Sequence, residues 1–247
     1  MHIDIWSDIA CPWCYIGKRR LEQAVAAHVA RHPEAAPDGA EPLSIRWRAF
    51  QLDPGAPAVP TGEPMAEHLG RKYGGGAPAG QQMIDRMEAV AAEEGLLYRL
   101  AQAQRVSTRD AHRVLHAAAL VSPERQDALK ERLLAAYMIE GRNVADHDEL
   151  VAIAAESGLE EGIARDVLAG GLHAQAVEDD LDQALTYGVG GVPFTVVDGR
   201  FGVSGAQPVE VFSQTLERAW DQAHPGLVMA GETGATGEVC GPEGCTS

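Results

Sequence analysis

The sequence is short of positive charge. Its 20 Lys and Arg stand against 36 Asp and Glu, a formal net charge of -16. Binding to nucleic acid or to an anionic membrane needs a basic face for the phosphates. Neither is expected as a partner, and the acidic excess reads as a solubility feature. The chain also lacks an apolar run long enough to cross a bilayer. At the N-terminus there is no basic region followed by an apolar stretch, and Asp4 and Asp8 interrupt the early run. No secretory leader is expected, and the expected compartment is the cytoplasm. Cysteine is scarce, with 4 residues in 247. In a cytoplasmic protein this argues against a disulfide scaffold and for catalytic or transient thiols.

What is present is Cys11-Pro12-Trp13-Cys14, at the point where a short apolar run gives way to a helical pattern. A helix N-terminus carries partial positive charge and unpaired N–H groups. Both favour a thiolate, so Cys11 is expected to have a depressed pKa and to act as nucleophile. Pro12 suits the first helical position, where its missing N–H would be unpaired anyway. Cys14, one turn deeper, is placed to resolve a mixed disulfide on Cys11. C-x-x-C is also half of a zinc site, and Cys240 and Cys245 could supply the rest. That second pair is C-x4-C in a Gly-rich tail, however, and zinc knuckles favour turns over the helix expected after Cys14. The redox reading is therefore preferred. His112 and His116 have metal-ligand spacing on one helix but no evident third ligand, so no metal is expected.

The elements fall in a recognisable order. His2–Ser7 alternates as a first strand, Pro12 to about His32 is an amphipathic helix, and Leu43–Leu52 reads as a second strand. Four prolines between Asp53 and Pro64 then break the pattern. From there to about Tyr187 only helical stripes appear, about 120 residues and enough to bury a core of their own. Helices are expected from about Pro123 to Glu140, Asp146 to Ser157, Glu160 to Leu168 and Leu172 to Tyr187, with Asp146-His147-Asp148 an N-cap region rather than a site. The strands return at Val192–Val197 and Arg200–Val203 around an Asp198-Gly199 turn. A last helix runs from Pro208 to about Trp220. The expected fold is α/β: a thioredoxin-like fold, residues 1–57 and 188–223, split by an all-helical insertion over 58–187. Residues 224–247 read as a flexible tail.

Several motifs together resemble the DsbA family: Cys11-Pro12-Trp13-Cys14-Tyr15-Ile16-Gly17, Asp110-Ala111-His112-Arg113, Glu140-Gly141-Arg142-Asn143, Gly191-Val192-Pro193-Phe194 and Val203-Ser204-Gly205-Ala206-Gln207. More narrowly they are similar to its cytoplasmic FrnE-like branch, thiol–disulfide oxidoreductases with a helical insertion in a thioredoxin fold. The resemblance implies a cis Val192-Pro193 bond opposite the thiols, with Val192 and Pro193 holding an extended substrate and Trp13 beside it. It implies protein or peptide disulfides as substrates, no bound cofactor, and glutathione or another thiol as redox partner. The related kappa-class glutathione transferases and chromene-carboxylate isomerases generally carry serine in place of the first cysteine. Both Cys11 and Cys14 are present here, which favours dithiol chemistry. A glutathione-dependent transferase or isomerase is the first alternative, and a chaperone-like binder using an inter-domain cleft is the second.

Some FrnE-like members share a C-terminal C-x4-C. The coil from the last helix to Cys240 spans about 25 Å as roughly twenty flexible residues, enough to bring the pair to Cys11. Cys240 and Cys245 are therefore expected to serve as an auxiliary redox pair. The sequence leaves open the oligomeric state, the substrate and the direction of electron flow.

Overall fold

The computed structural model describes residues 1–225, 239–241 and 244–246. Strand β1 (His2–Ser7) leads into helix α1 (Pro12–Arg31), and β2 (Ser44–Ala49) returns parallel to β1 with His2 opposite Ser44. After the helical stretch, β3 (Phe194–Val197) pairs antiparallel with β1, and β4 (Phe201–Ser204) closes a hairpin on β3. The order β2-β1-β3-β4 with this βαβ…ββα connectivity is a thioredoxin-like sheet. Asp198 and Gly199 turn the hairpin with φ of 48° and 67°, both positive as a type I′ turn requires.

Between the halves lie α2 (Met65–Tyr73), α3 (Gly76–Glu93), α4 (Arg109–Val121), α5 (Pro123–Met138), α6 (His147–Glu156), α7 (Glu161–Ala169) and α8 (Ala174–Thr186). Their starts follow local chemistry. The Ser122 hydroxyl accepts from the Arg125 N–H and Pro123 occupies the first turn of α5. Asp146 caps α6 by accepting from the Glu149 N–H at 3.0 Å, as an N-cap carboxylate should. Helix α9 (Val209–Ala223) follows β4.

The second strand is shorter than its alternation predicts. Past Ala49 the chain leaves the sheet, and the Leu52 N–H is taken by the Asp8 carboxylate at 2.8 Å. The third strand likewise begins at Phe194 rather than Val192. Pro193 has no N–H to give a ladder, and its carbonyl instead accepts from Gly205 at 2.8 Å.

One face of the sheet buries Ile3, Ile5 and Val197 against Leu21 and Ala24 of α1 and Phe212, Leu216 and Ala219 of α9. Each such Leu or Phe contributes about 1.5–3 kcal/mol by leaving water. On the other face Trp6 packs with Ala184 and Val189, and its indole N–H donates to the Asp180 carbonyl at 2.8 Å. The helical stretch does bury a large core, and that core is shared. Ile9, Tyr15 and Ile16, from around the cysteine motif, belong to the same cluster as Leu129, Leu133 and Leu134 of α5. Helix α5 thus forms part of the floor beneath the thiols. Among the described residues no helix is long and apolar enough to cross a membrane.

In the tail, β5 (Val239–Gly241) and β6 (Gly244–Thr246) pair antiparallel, with Cys240 directly opposite Cys245. The expectation of a flexible segment over 224–247 falls largely outside the described residues.

Candidate active site

Cys11 is the N-cap residue of α1, and Pro12 begins the helix. The Cys11 N–H donates to the Asp8 carbonyl at 3.3 Å and the Cys14 N–H to the Cys11 carbonyl at 3.0 Å. Tyr98, from the insertion, fixes the same turn by donating its hydroxyl to the Pro12 carbonyl at 2.7 Å. The Val192-Pro193 peptide is cis. Its loop lies against α1 so closely that a Cβ on Gly17 would stand 2.9 Å from Pro193 Cγ, and only glycine allows that approach. The Cys11 sulfur is 3.3 Å from the Val192 carbonyl, within reach for its S–H to donate. Both cysteines are free thiols.

Helix position favours a thiolate at Cys11, and burial works against it at both sulfurs. Cys11 and Cys14 are 3% and 0% exposed, and they titrate as a pair. The hydrogen bond with Cys14, then burial, then the Cys14 charge push the Cys11 thiol well above its ordinary value. Burial alone would raise Cys14 too, but the hydrogen bond from Cys11 and the Lys130 ammonium outweigh it and hold Cys14 below the ordinary value. The first ionisation thus belongs to the pair, and the Lys130 ammonium favours it. The Cys11 proton has two acceptors, Cys14 and the Val192 carbonyl. Cys11 is still the sulfur that lines the surface groove beside the motif.

Three buried groups that the sequence analysis did not place in the site stand under the dithiol. Lys130, on α5, is 0% exposed and its ammonium donates to the Ser7 carbonyl at 3.3 Å. Burial pushes its pKa down to about 8, against the pull of the Cys14, Asp8 and Cys11 charges. Asp8 is 1% exposed. Burial raises its carboxyl, but the His112 imidazole and the Leu52 N–H hold it below the usual carboxylate range. His112 Nε2 lies 3.5 Å from Asp8, and burial depresses its pKa. His116, one turn on, faces a different carboxylate, Asp180, at 2.9 Å. The signals were weak: Asp8 reads as an interruption of an apolar run, and Lys130 as one charge on an amphipathic helix.

Other residues of the quoted motifs, Asp110, Arg113 and Arg142, serve contacts away from the thiols. Arg113 donates to the Leu172 carbonyl at 2.9 Å and pairs with Asp110, and Arg142 pairs with Glu149 at 2.6 Å. These bonds tie the insertion together. Trp13 is 40% exposed at the groove edge, and Val192 also lines the groove. The groove has a volume of about 560 Å³, and Met65, Met83, Met87 and Met138 give it an apolar, adaptable wall. His68, Lys72 and Arg105 stand along it.

Residues 2–217 match the family described as DSBA-like thioredoxin domain. No curated protein matches the chain. Among solved structures, a probable DsbA oxidoreductase from Streptomyces coelicolor is 38% identical, with TM-score 0.78 over 100% of this chain and 99% of that one. The cytosolic disulfide reductase DsbM from Pseudomonas aeruginosa, solved with GSH, is 19% identical with TM-score 0.60 over 89% and 99%. A 2-hydroxychromene-2-carboxylate isomerase is 14% identical with TM-score 0.61 over 91% and 98%. The last two share the fold. With the match covering nearly all of the sheet and helices, and a probable DsbA oxidoreductase this similar from end to end, the chain belongs to the DsbA-like thioredoxin-domain family.

Proposed function

We propose that the protein is a cytoplasmic thiol–disulfide oxidoreductase or isomerase of the FrnE-like branch, with 58–187 as a helical insertion between thioredoxin-like halves 1–57 and 188–223. The observation that carries this reading is the free Cys11/Cys14 dithiol at the start of α1, with the Cys11 sulfur 3.3 Å from the Val192 carbonyl. Cys11 attacks because it is the sulfur that borders the groove. The pair enters singly ionised, and its remaining proton rests on Cys14 as the Cys11 sulfur bonds to one sulfur of the substrate disulfide. The substrate S–S bond breaks, and the departing thiolate takes a proton from water. Cys14 then loses its proton to water, its thiolate favoured by the nearby Lys130 ammonium, and attacks the Cys11 sulfur. The bond from Cys11 to the substrate breaks, and the second substrate sulfur leaves as a thiolate and takes a proton from water. This forms the Cys11–Cys14 disulfide. Two electrons pass from dithiol to substrate, and two glutathione molecules, oxidised to their disulfide, restore the dithiol.

The methionine-lined groove favours protein or peptide disulfides with apolar flanks, held between Trp13 and the Val192-Pro193 loop. Glutathione as the reductant is in keeping with the DsbM structure solved with GSH. Cys240 and Cys245 act in this reading as an auxiliary pair. Residues directly opposite in an antiparallel ladder have Cα atoms about 4.5–5.5 Å apart, inside the range a disulfide spans.

The test is trapping with a glutathionylated peptide. Cys14→Ser should accumulate a mixed disulfide on Cys11, and Cys11→Ser should neither trap nor turn over. Turnover retained by Cys11→Ser would overturn the assignment, and glutathione conjugation by that variant would instead support the transferase alternative.

A further inference from the structure

A second cluster lies at the far end of α1, where the helix packs against α9. His28, in the last turn of α1, and His32, the C-cap residue just past its end, both reach Glu217 of α9. His28 Nδ1 is 2.7 Å from Glu217 Oε1, and His32 Nε2 is 2.9 Å from Oε2. One ligand atom from each residue lies within 4.8 Å of the others. His28 is 0% exposed, its Nε2 has no partner, and its polar contacts are confined to this cluster. Trp220 walls the cluster, with its ring 5.3 Å from His28 and 4.7 Å from His32.

We propose that His28, His32 and Glu217 form a three-ligand site for a divalent transition metal ion, zinc in the first instance. Two imidazoles and one carboxylate are a donor set for zinc and its neighbours rather than for calcium or magnesium. Ligand atoms around a tetrahedral zinc stand roughly 3.3–3.5 Å apart, given bonds of about 2.0–2.2 Å. The two histidine–carboxylate contacts of 2.7 and 2.9 Å would open to that spacing, and all three ligand atoms already lie within 4.8 Å of one another. Arg31 Nη2 also holds Glu217 Oε1 at 2.8 Å. With Oε2 on the metal, Arg31 keeps Oε1 and orients the carboxylate from outside, as outer partners of metal ligands do. A water completes the coordination. The ion would pin the C-terminal end of the helix whose N-terminus carries Cys11.

Thiols bind zinc themselves, so the experiment uses the full chain with all cysteines changed to serine. Isothermal titration with zinc chloride should find one equivalent bound, and zinc should raise the unfolding temperature by several degrees. Cobalt in its place should give a visible spectrum without sulfur-to-metal charge-transfer bands, and should shift the ring protons of two histidines. Glu217→Gln and His32→Gln, each in that background, should weaken binding at least tenfold. Absence of binding by the thiol-free parent, or affinity unchanged in both variants, overturns the proposal. Because the parent keeps all three ligands, an unfolded variant does not obscure that result. Loss of dithiol turnover in the cysteine-free chain has no bearing on it.

Discussion

Replacing Lys130 by Met tests the electrostatics beneath the dithiol. The side chain keeps its length and loses its charge. In the native state burial pulls the ammonium from its ordinary 10.5 to about 8, and each unit corresponds to about 1.4 kcal/mol. The gap is worth about 3 kcal/mol, as an upper figure. Below about pH 8 both folded and unfolded states carry the proton, and the native state bears the whole cost. Between about 8 and 10.5 the unfolded state binds more proton, so this residue's contribution to stability rises with pH. Above about 10.5 both states are neutral and the cost is gone. Cys14 works in the same direction, because Lys130 helps hold its thiol low, and that help makes the native state gain stability as pH rises. The difference in unfolding free energy, variant minus parent, should therefore be flat up to about pH 7. It should then fall by up to about 1.4 kcal/mol per pH unit above about pH 8. Urea unfolding of both reduced proteins from pH 6 to 9.5 measures it. A difference that stays level or grows across pH 8 to 9.5 would refute the placement of a destabilised cation there. The same variant should alkylate more slowly at pH 7, since the first thiol ionisation loses its neighbouring charge.

Other outcomes follow from single contacts. Asp180 is 2% exposed, accepts from the Ala49 N–H at 2.8 Å and pairs with Arg48 at 3.0 Å. Asp180→Asn should cost about 3 kcal/mol at neutral pH, because it leaves buried partners unmatched. Burial raises that carboxyl, but His116, the Ala49 N–H and Arg48 hold it below 3.8, so the penalty should fade as acid takes the pH through its lowered pKa; a penalty constant down to pH 2 contradicts this. Val192→Thr keeps the carbonyl that faces Cys11 and adds a hydroxyl at the groove. It should change the lifetime of the trapped mixed disulfide several-fold while moving the unfolding temperature by less than about 4 °C, and the reverse pattern would assign Val192 to stability alone. Deleting everything after Gly231 should slow turnover of a large protein disulfide and spare a small one. Identical behaviour with both would remove the tail from the mechanism.

The sequence by itself determined the locally specified turns and helix starts. Cys11 as N-cap, Pro12 in the first turn, the Asp198-Gly199 hairpin and the Asp146 cap all rest on interactions within a few residues, so local spacing suffices to find them. It also carried the family, because its motifs sit at fixed places along the chain. The charge state of the dithiol was decided only by the tertiary structure. Helix position argues for a Cys11 thiolate, burial works against ionisation at both sulfurs, and the packing of α5 under the motif brings the Lys130 ammonium to Cys14. Asp8 and His112 meet only because the insertion shares its core with the cysteine turn. The His28–His32 spacing at the end of α1 is local, but its carboxylate partner comes from α9, across the interface that closes the sheet. Hydrogen bonds and burial within one turn are written in neighbouring residues. Desolvation, and charges brought together from distant segments, exist only once the chain has folded.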